Sequence, residues 1–338
     1  MRLLVLGGTA FLSHAVAAEA VRRGHEVTCA ARGVSGSPPE AATLVRVDRA
    51  DQDGLRPLAG RKFDAVVDVE LQSPTRVRRA LDALAGSVGH WTFVSTASVY
   101  ADNAVVGQRC GTAALLKPAP DGADETDREL YGPLKVSCEQ AVQEVVGGRA
   151  FVCRPGLIVG PGDRSDRFGY WPGRLHRGGR VLVPGDPTDP VQYVDVRDLA
   201  RWIVYAAEQR LVATLDAICP PLTWGELVTE IRDAVGGNPE LVWVPSSHLA
   251  AWNVPPWAGP ESLPMWLPPG HDGFMARDVS ESLAAGLRIR PVADTARASL
   301  AWETELGSGR ERGAGLSAER EGELIAAYLN GAQHPNPG

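Results

Sequence analysis

The chain alternates short apolar runs with segments of helical periodicity. Residues 3–6 form an unbroken apolar run, typical of a strand buried on both faces. Helix-compatible apolar spacing follows over residues 11–21. Further strands are predicted at residues 25–30, 43–47, 63–69, 90–95, 150–153 and 213–219, with helices at 76–84, 133–146 and 198–208. This alternation predicts an α/β fold with a doubly wound parallel sheet.

The first strand and helix are joined by a glycine turn, Gly7-Gly8-Thr9. A helix that starts there presents free N–H groups, which suit a dinucleotide pyrophosphate. The G-x-x-G-x-x-G spacing falls on Gly7, Ala10 and Ser13, so one glycine of three is present. The alternative is an ordinary strand–helix turn without a ligand.

The second half of the chain departs from this alternation. Residues 162–190 are rich in Gly, Pro and aromatic residues, which predicts an excursion from the sheet. Further helices are predicted at residues 224–235, 247–252, 280–285, 293–302 and 318–329, with strands at 192–196 and 241–244. We expect a dinucleotide-binding Rossmann domain over 1–160 plus 191–220, a smaller mixed α/β substrate lobe over 161–190 plus 221–330, and a disordered tail over 331–338.

Composition narrows the class of protein. The 338 residues carry a formal net charge of −7 and no basic block, which argues against nucleic acid or an anionic membrane as a partner. Five cysteines without a C-x-x-C pair indicate a reducing compartment, and no apolar run reaches membrane-span length. We expect a cytoplasmic protein. No cluster has metal-ligand spacing, so no metal is expected.

Two further segments carry candidate chemistry. Tyr131 and Lys135 form a Y-x-x-x-K at the start of a helix, on one face. A lysine beside a tyrosine lowers the phenol's pKa and suits it to proton transfer. Ser95, Thr96 and Ser98 follow a strand, where ligands bind in open sheets. The alternatives are a surface Tyr–Lys pair and hydroxyls that cap loops.

Together these segments resemble the extended short-chain dehydrogenase/reductases, the NAD-dependent epimerase/dehydratase family, over nearly the whole chain. The matching segments are GGTAFLSH, FVSTASVY, YGPLK, RPGLIVGP and QYVDVRDLA, followed by a closing segment over residues 287–302. The resemblance implies hydride transfer between a nicotinamide and a substrate carbon. Tyr131 would exchange the proton, Lys135 would bind the nicotinamide ribose, and Thr96 would hold the carbonyl oxygen.

The resemblance also implies cofactor contacts. It places them at Gly7, Thr9, Ala10, Phe11, Leu12, Ala31, Arg32, Asp48, Val69, Glu70, Ser95, Lys135, Pro155, Gly156, Leu157 and Ile158. Strand two ends in Ala31-Arg32 where NAD-preferring members carry an acidic residue, so we expect NADP(H) rather than NAD(H). The alternative is an Arg32 that stacks on adenine in either cofactor. Asp68 or Glu70 is a candidate second acid/base group, or a backbone partner.

Substrate contacts are expected in the second lobe. Sugar-nucleotide members carry an arginine where this chain has Val191, and aromatic residues dominate instead. This favours an apolar small molecule; the alternative is that these aromatics form the lobe core. The predicted contacts are Thr96, Ser98, Tyr131, Phe168, Tyr170, Trp171, Gln192, Trp266, His271 and Phe274.

Three functions are compatible with these observations. The first is an NADP(H)-dependent reductase of a carbonyl or imine. The second is a sugar-nucleotide epimerase or dehydratase, and the third is a non-catalytic NADP-binding protein. A homodimer through the helices at 76–84 and 133–146 is expected from the resemblance, and the loop at 101–130 is a candidate lid.

Overall fold

A seven-stranded parallel sheet forms the centre of the protein, which is described here by a computed structural model over residues 1–307 and 310–331. Its strands are β1 (Arg2–Leu6), β2 (Glu26–Ala31), β3 (Thr43–Arg46), β4 (Phe63–Asp68), β5 (Val88–Val94), β6 (Ala150–Pro155) and β11 (Ala213–Ala217). The strand order is β11-β6-β5-β4-β1-β2-β3, and every neighbouring pair is parallel. The predicted doubly wound α/β fold is confirmed.

Helices cover both faces of this sheet. The helices of the chain are α1 (Phe11–Arg22), α2 (Pro74–Leu84), α3 (Tyr131–Val146), α4 (Tyr170–His176), α5 (Val196–Gln209), α6 (Trp224–Val235), α7 (Ser246–Ala251), α8 (Ser280–Ala284), α9 (Val292–Leu306) and α10 (Ala318–Leu329). One apolar core contains the inner faces of α1 and α5, and another contains those of α2 and α3. Strand order reverses at β1, next to β4, and open sheets bind ligands at such a point.

The second lobe has its own apolar core. Its main strand pair is β8 (Gly179–Pro184) with β13 (Pro239–Val244), and they run parallel. Short strand pairs complete the chain: β7 (Ile158–Val159) with β10 (Val194–Asp195), β9 (Pro190–Val191) with β12 (Leu222–Thr223), β14 (Pro256–Trp257) with β16 (Leu263–Pro264), and β15 (Gly259–Pro260) with β17 (Ala314–Gly315). Helices α4, α6, α9 and α10 contribute to this core.

One sequence expectation needs correction here, and another needs to be completed. The stretch 162–190 leaves the large sheet as expected, but it also contains α4 and β8, neither of which was predicted. Pairing with a distant strand and burial in the lobe core stabilise these elements, so the local Gly and Pro content did not reveal them. The strand predicted at 192–196 is reduced to β10, which lies outside the large sheet.

Other whole-chain expectations can be stated only for the described residues. The domain boundaries stay a prediction, and Leu287, expected in the substrate lobe, is buried in the core shared by α1 and α5. The predicted disordered tail lies outside the described residues, apart from Gly331. Within those residues no helix is long and apolar enough to cross a membrane.

A buried histidine in β5 makes stability depend on pH. His90 is fully buried, and its Nε2 donates to the Leu211 carbonyl at 2.8 Å. Burial lowers the pKa of His90 below its ordinary 6.5. The unfolded chain therefore takes up a proton that the folded chain resists, and stability falls as pH drops from about 6.5 through the lower folded pKa.

We expect His90→Gln to remove this dependence. The glutamine amide can still donate a hydrogen bond, but it does not titrate. Urea unfolding between pH 5 and 7.5 should show a free energy of unfolding that falls less steeply in the variant, by up to about 1.4 kcal/mol per pH unit. Equal slopes in the two proteins would contradict the assignment.

Candidate active site

A cleft of about 1070 Å³ opens beside the glycine turn and the start of α3. Most of the predicted cofactor residues, all three catalytic residues and two further predicted substrate residues, Ser98 and Phe274, lie along its wall. Those that line it are Thr9, Ala10, Phe11, Leu12, Val69, Glu70, Ser95, Thr96, Ser98, Tyr131, Lys135, Pro155, Gly156, Leu157, Ile158 and Phe274. Their convergence follows from parallel strands, whose carboxyl ends meet at one edge of the sheet.

The start of α1 forms one wall. Its N-cap, Ala10, makes no side-chain capping bond, so the first N–H groups of the helix are left for a ligand. Gly7 and Gly8 have φ of +128° and +94°, and a Cβ at Gly8 would lie 2.3 Å from the Cys29 sulfur. Ala10 has an ordinary φ of −146°, which any residue adopts. The loss of the second glycine therefore introduces no backbone strain at residue 10, although the next residue, Phe11, has a φ of +37°.

The loop after β2 covers this turn and was missed in the sequence. Ser35, Gly36 and Ser37 line the cleft, and a Cβ at Gly36 would lie 2.3 Å from the Thr9 carbonyl oxygen. A Ser-Gly-Ser run is typical of any surface loop, so it gave no distinguishing signal.

Four predicted cofactor residues lie outside the lining of the cleft. Arg32 is exposed, and Ala31 precedes it at the end of β2. The Arg32 carbonyl accepts a hydrogen bond from Arg46 at 3.0 Å. Asp48 turns its carboxylate to the backbone N–H of Ala50 at 2.9 Å. Gly7, which shapes the turn, also lies behind the lining residues.

The catalytic candidates Thr96, Tyr131 and Lys135 meet at the floor of the cleft. Thr96 follows β5, and its Oγ1 accepts from the Ser98 N–H at 3.1 Å. Burial raises the pKa of Tyr131, while a hydrogen bond with Thr96 and the charge of Arg167 act in the opposite direction. Tyr131 is the first residue of α3, so its hydroxyl reaches the cleft from a rigid element.

One of the two roles predicted for Lys135 needs correction, and its binding of the nicotinamide ribose stays a prediction. Its side chain is 1% exposed, and its Nζ donates to the carbonyls of Glu70 at 2.8 Å and Val94 at 2.6 Å. Burial lowers the pKa of Lys135. The expectation that Lys135 depresses the pKa of Tyr131 is corrected: the pKa of Tyr131 lies above its ordinary value, and the cation that lowers it is Arg167.

The acidic residues after β4 are partnered by arginines. Asp68 is fully buried, and its carboxylate binds Arg49 through two contacts of 2.6 and 3.0 Å. It therefore has a structural role, and the hypothesis of a second acid/base group is wrong for Asp68. The Glu70 carboxylate is 3.6 Å from both Arg49 and Arg76 and borders the cleft. For Glu70 the hypothesis stays a prediction.

The wall facing Tyr131 was largely unforeseen. Asp163, Arg164, Ser165 and Arg167 line it, together with Trp257 and Trp302. These polar residues sit in the stretch expected to contribute aromatic contacts. The only sequence signal was charge, and a short Asp/Arg/Ser run in a loop usually faces solvent.

Comparison with known proteins decides the family. A profile of the NAD dependent epimerase/dehydratase family matches residues 3–214, more than half of the chain. The chain belongs to this family. The epimerase family protein SDR39U1 of Bos taurus is 26% identical over 269 residues, which cover 74% of this chain and 86% of the bovine protein.

Solved structures with the same fold are more distant in sequence. UDP-N-acetylglucosamine 4-epimerase from Bacillus cereus superposes with a TM-score of 0.64 at 17% identity, over 92% of this chain and 98% of that one. The Bordetella bronchiseptica enzyme WbmH, solved with NAD+, gives a TM-score of 0.61 at 19% identity, over 90% and 99%. At these identities the likeness establishes the fold.

Within this epimerase/dehydratase family member, four predicted substrate residues lie in the lobe core. Phe168, Tyr170, Trp171 and Trp266 are at most 2% exposed, and they do not line the cleft. They pack against other aromatic rings; Trp171, for example, lies 5.1 Å from the ring of Tyr170 and 5.2 Å from that of Trp224. The expectation of substrate contact is corrected for all four, because their surfaces are already buried.

Gln192 and His271 are also placed away from the cleft. Gln192 is 1% exposed; its amide donates to the carbonyls of Cys219 at 2.7 Å and Arg277 at 3.0 Å, and accepts from the Arg277 N–H at 2.7 Å. Its role is structural. His271 borders a separate cleft of about 260 Å³, and its Nδ1 lies 3.2 Å from the Pro268 carbonyl.

Phe274 is held at the cleft by the start of the candidate lid. The Phe274 N–H donates to the Asn103 carbonyl at 3.1 Å. Gly107 donates to Ala276 at 2.7 Å, and Asp278 to Gln108 at 3.1 Å. Residues 103–108 are therefore hydrogen-bonded to 274–278 along their length.

Proposed function

We propose that this protein is an NADP(H)-dependent reductase of a carbonyl or imine on a small, fairly apolar metabolite. The observation that carries the proposal is the convergence of Tyr131, Thr96 and Lys135 on one wall of the cleft, with Tyr131 one helical turn before Lys135. This is the residue set that proton transfer to a developing alkoxide needs.

The chain's residues fit a nicotinamide dinucleotide. The uncapped start of α1 suits the pyrophosphate, and Lys135 offers a buried ammonium. The Ser95 Oγ is buried at the cleft with no hydrogen-bond partner within the described chain, so a donor or acceptor from a ligand would satisfy it. When bound, such a cofactor supplies or accepts the hydride.

The protein's own groups handle the proton. In reduction, Tyr131 donates its proton to the substrate oxygen or nitrogen, and its raised pKa keeps it protonated at neutral pH. Thr96 holds the same atom through its hydroxyl. Lys135 is fixed by two carbonyls, from which its ammonium group would bind the ribose of the cofactor. These groups act by orientation and by stabilising the negative charge that develops.

A substrate panel tests this proposal. Oxidation of NADPH is followed with ketones, aldehydes and imines. UDP- and dTDP-sugars are incubated with the protein and oxidised cofactor, and their epimerised or dehydrated products are followed by NMR, because those reactions consume no net NADPH. We expect turnover with apolar carbonyl or imine compounds. Turnover of UDP- or dTDP-sugars alone would overturn the reductase proposal.

Sugar-nucleotide epimerisation is the second candidate. Two observations favour it: structural neighbours such as the Bacillus cereus enzyme act on UDP-sugars by name, and Arg164 and Arg167 place cations at the cleft. The arginine expected at Val191 is absent, and Val191 is fully buried. The cleft arginines lie on a different loop.

The proposed preference for NADP(H) over NAD(H) rests on Arg32. Its side chain is exposed beside Ala31, where a carboxylate would otherwise bind the ribose. Arg32→Gln should raise the Kd for NADPH about tenfold and leave that for NADH nearly unchanged, since a charged hydrogen bond to phosphate is lost. Titrations by cofactor fluorescence measure this, with Arg56→Gln as an exposed control. Tighter binding of NADH by the unmodified protein would refute the preference.

The homodimer through α2 and α3 and the cytoplasmic location stay predictions. The exposed residues of the helix pair include an ion pair between Arg78 and Glu144 at 3.2 Å and the apolar side chain of Val145.

A further inference from the structure

We infer that Arg167 binds an oxyanion of the substrate, specifically a carboxylate, beside Tyr131. The inference rests on the proposed function for the identity of the cleft, and it narrows the substrate to an acid with an apolar body. Four features of the described residues support it.

The first feature is an arginine without a carboxylate in direct contact. Arg167 is half-buried at the cleft, and it forms no ion pair within 4.0 Å in residues 1–307 and 310–331. The Asp163 carboxylate acts on Arg167 through its charge but accepts its hydrogen bonds from the Ser165 N–H at 2.8 Å and hydroxyl at 3.0 Å. Burial lowers the pKa of Arg167, so a carboxylate ligand in direct contact with the guanidinium would relieve the cost of burying its charge.

The second feature is the orientation of the guanidinium. Its Nε donates to the Ser165 hydroxyl at 3.1 Å, and its central carbon lies 5.1 Å from the ring centroid of Trp257. These contacts fix the plane of the group. Its two Nη groups make no hydrogen bond to the described chain, and such a pair matches a carboxylate in bidentate geometry.

The third feature is the anchoring of the loop. Asp166 has a φ of +61°, and its carboxylate binds Arg310, at 2.9 Å in one of two contacts, and the Gly313 N–H at 2.7 Å. Arg310 also binds Glu303 at 3.0 Å. The residue next to Arg167 is therefore held by the C-terminal segment. Because the loop is already ordered in the free protein, ligand binding loses less conformational entropy.

The fourth feature is the set of side chains around Arg167. Its charge acts on Tyr131, the proposed proton donor. Trp257 also contacts Phe274, with ring centroids 5.8 Å apart, so two aromatic rings line the cleft next to the cation. An acid whose apolar body lies on these rings would bring its carboxylate to Arg167 and its reacting carbon near Tyr131.

Binding of a matched acid and amide tests the inference. The probes are 3-(4-fluorophenyl)propionate and 3-(4-fluorophenyl)propionamide, followed by fluorine NMR with the full chain, with and without NADPH. We expect the acid to bind more tightly than the amide. Arg167→Met should weaken acid binding about ten- to hundredfold, the range for hydrogen bonds to charged groups, and leave amide binding unchanged. Arg61→Met, an exposed control, should change neither.

A second variant and a second ligand complete the test. Arg167→Lys retains the charge without the planar fork, should lose part of the affinity, and replaces the Met variant if that variant does not fold. Equal binding of acid and amide by the unmodified protein would overturn the inference. So would UDP-glucose as the ligand whose affinity depends on Arg167, because the oxyanion would then be a diphosphate. Acid binding that depends on Arg167 in a protein without turnover of any carbonyl would uphold this inference while the reductase proposal fails.

Discussion

Tyr131→Phe is expected to lower kcat by about 10²- to 10⁴-fold, the contribution typical of a positioned proton donor. The substitution removes one oxygen and leaves the ring in place at the start of α3. Because Lys135 is held by the Glu70 and Val94 carbonyls and not by Tyr131, the site should keep its shape. The Kd for NADPH of the variant should therefore stay within about twofold of the Kd of the unmodified protein. Loss of about 1.4 kcal/mol of binding free energy would raise the Kd about tenfold.

Steady-state kinetics with the best substrate of the panel, together with cofactor titration, check both expectations. Tyr205→Phe is the matched control, since Tyr205 lies 37% exposed on α5, away from the cleft. Full activity in the Tyr131 variant would contradict the role of Tyr131 as the proton donor. Loss of cofactor binding along with turnover would point to a structural role.

Arg277→Met should lower the free energy of unfolding by about 3–5 kcal/mol, the cost of leaving a buried charge without its partner. Arg277 and Asp216 are each 1% exposed, and the Arg277 Nε lies 2.9 Å from the Asp216 carboxylate. The Tyr100 hydroxyl donates to the same carboxylate at 2.5 Å, and the guanidinium lies 3.4 Å from the centroid of the Tyr100 ring. Removal of the arginine affects all of these contacts.

Urea unfolding measures this effect. Arg180→Met is the matched control, because Arg180 and Glu240 form an exposed pair at 3.1 Å, and it should cost less than about 1 kcal/mol. The double variant Arg277→Met/Asp216→Asn should recover part of the loss, since no unpaired charge remains. A cost for Arg277→Met no larger than for the surface control would contradict a buried, energetically coupled pair.

The central sheet could be predicted from sequence because its signals are local. Strand β1 contains the unbroken apolar run of residues 3–6, and the helix expected at 224–235 is present with those bounds. Thr223 and Glu226 form a reciprocal capping box at its start. Such signals lie within a few residues of the element they specify, so no knowledge of the tertiary fold is needed.

The site was predictable on its cofactor side and not on its substrate side. Thr96, Tyr131 and Lys135 belong to motifs with fixed spacing, and the sheet brings them together. Trp171 and Arg167 show the opposite case: the aromatic residue is core and the charged residue lines the cleft. From composition alone, an aromatic residue would be expected at the cleft and a charged residue in solvent. The loop from residue 160 to 169 decides which side chains face the cleft. Its path depends on the contacts of Asp166 with residues that are distant in the sequence.

The hydrogen bonds between residues 103–108 and 274–278 have a consequence for local opening. Three backbone bonds join the segments, and a Cβ at Gly273 would lie 2.2 Å from the Val105 carbonyl oxygen, so the two backbones are in direct contact. Neither segment can leave without breaking the same bonds. The amides of Gly107, Phe274 and Asp278 therefore belong to one cooperative unit and share one opening free energy in hydrogen exchange. Entry of a ligand into the cleft past Phe274 then depends on that shared opening free energy and not on rotation of the Phe274 ring alone.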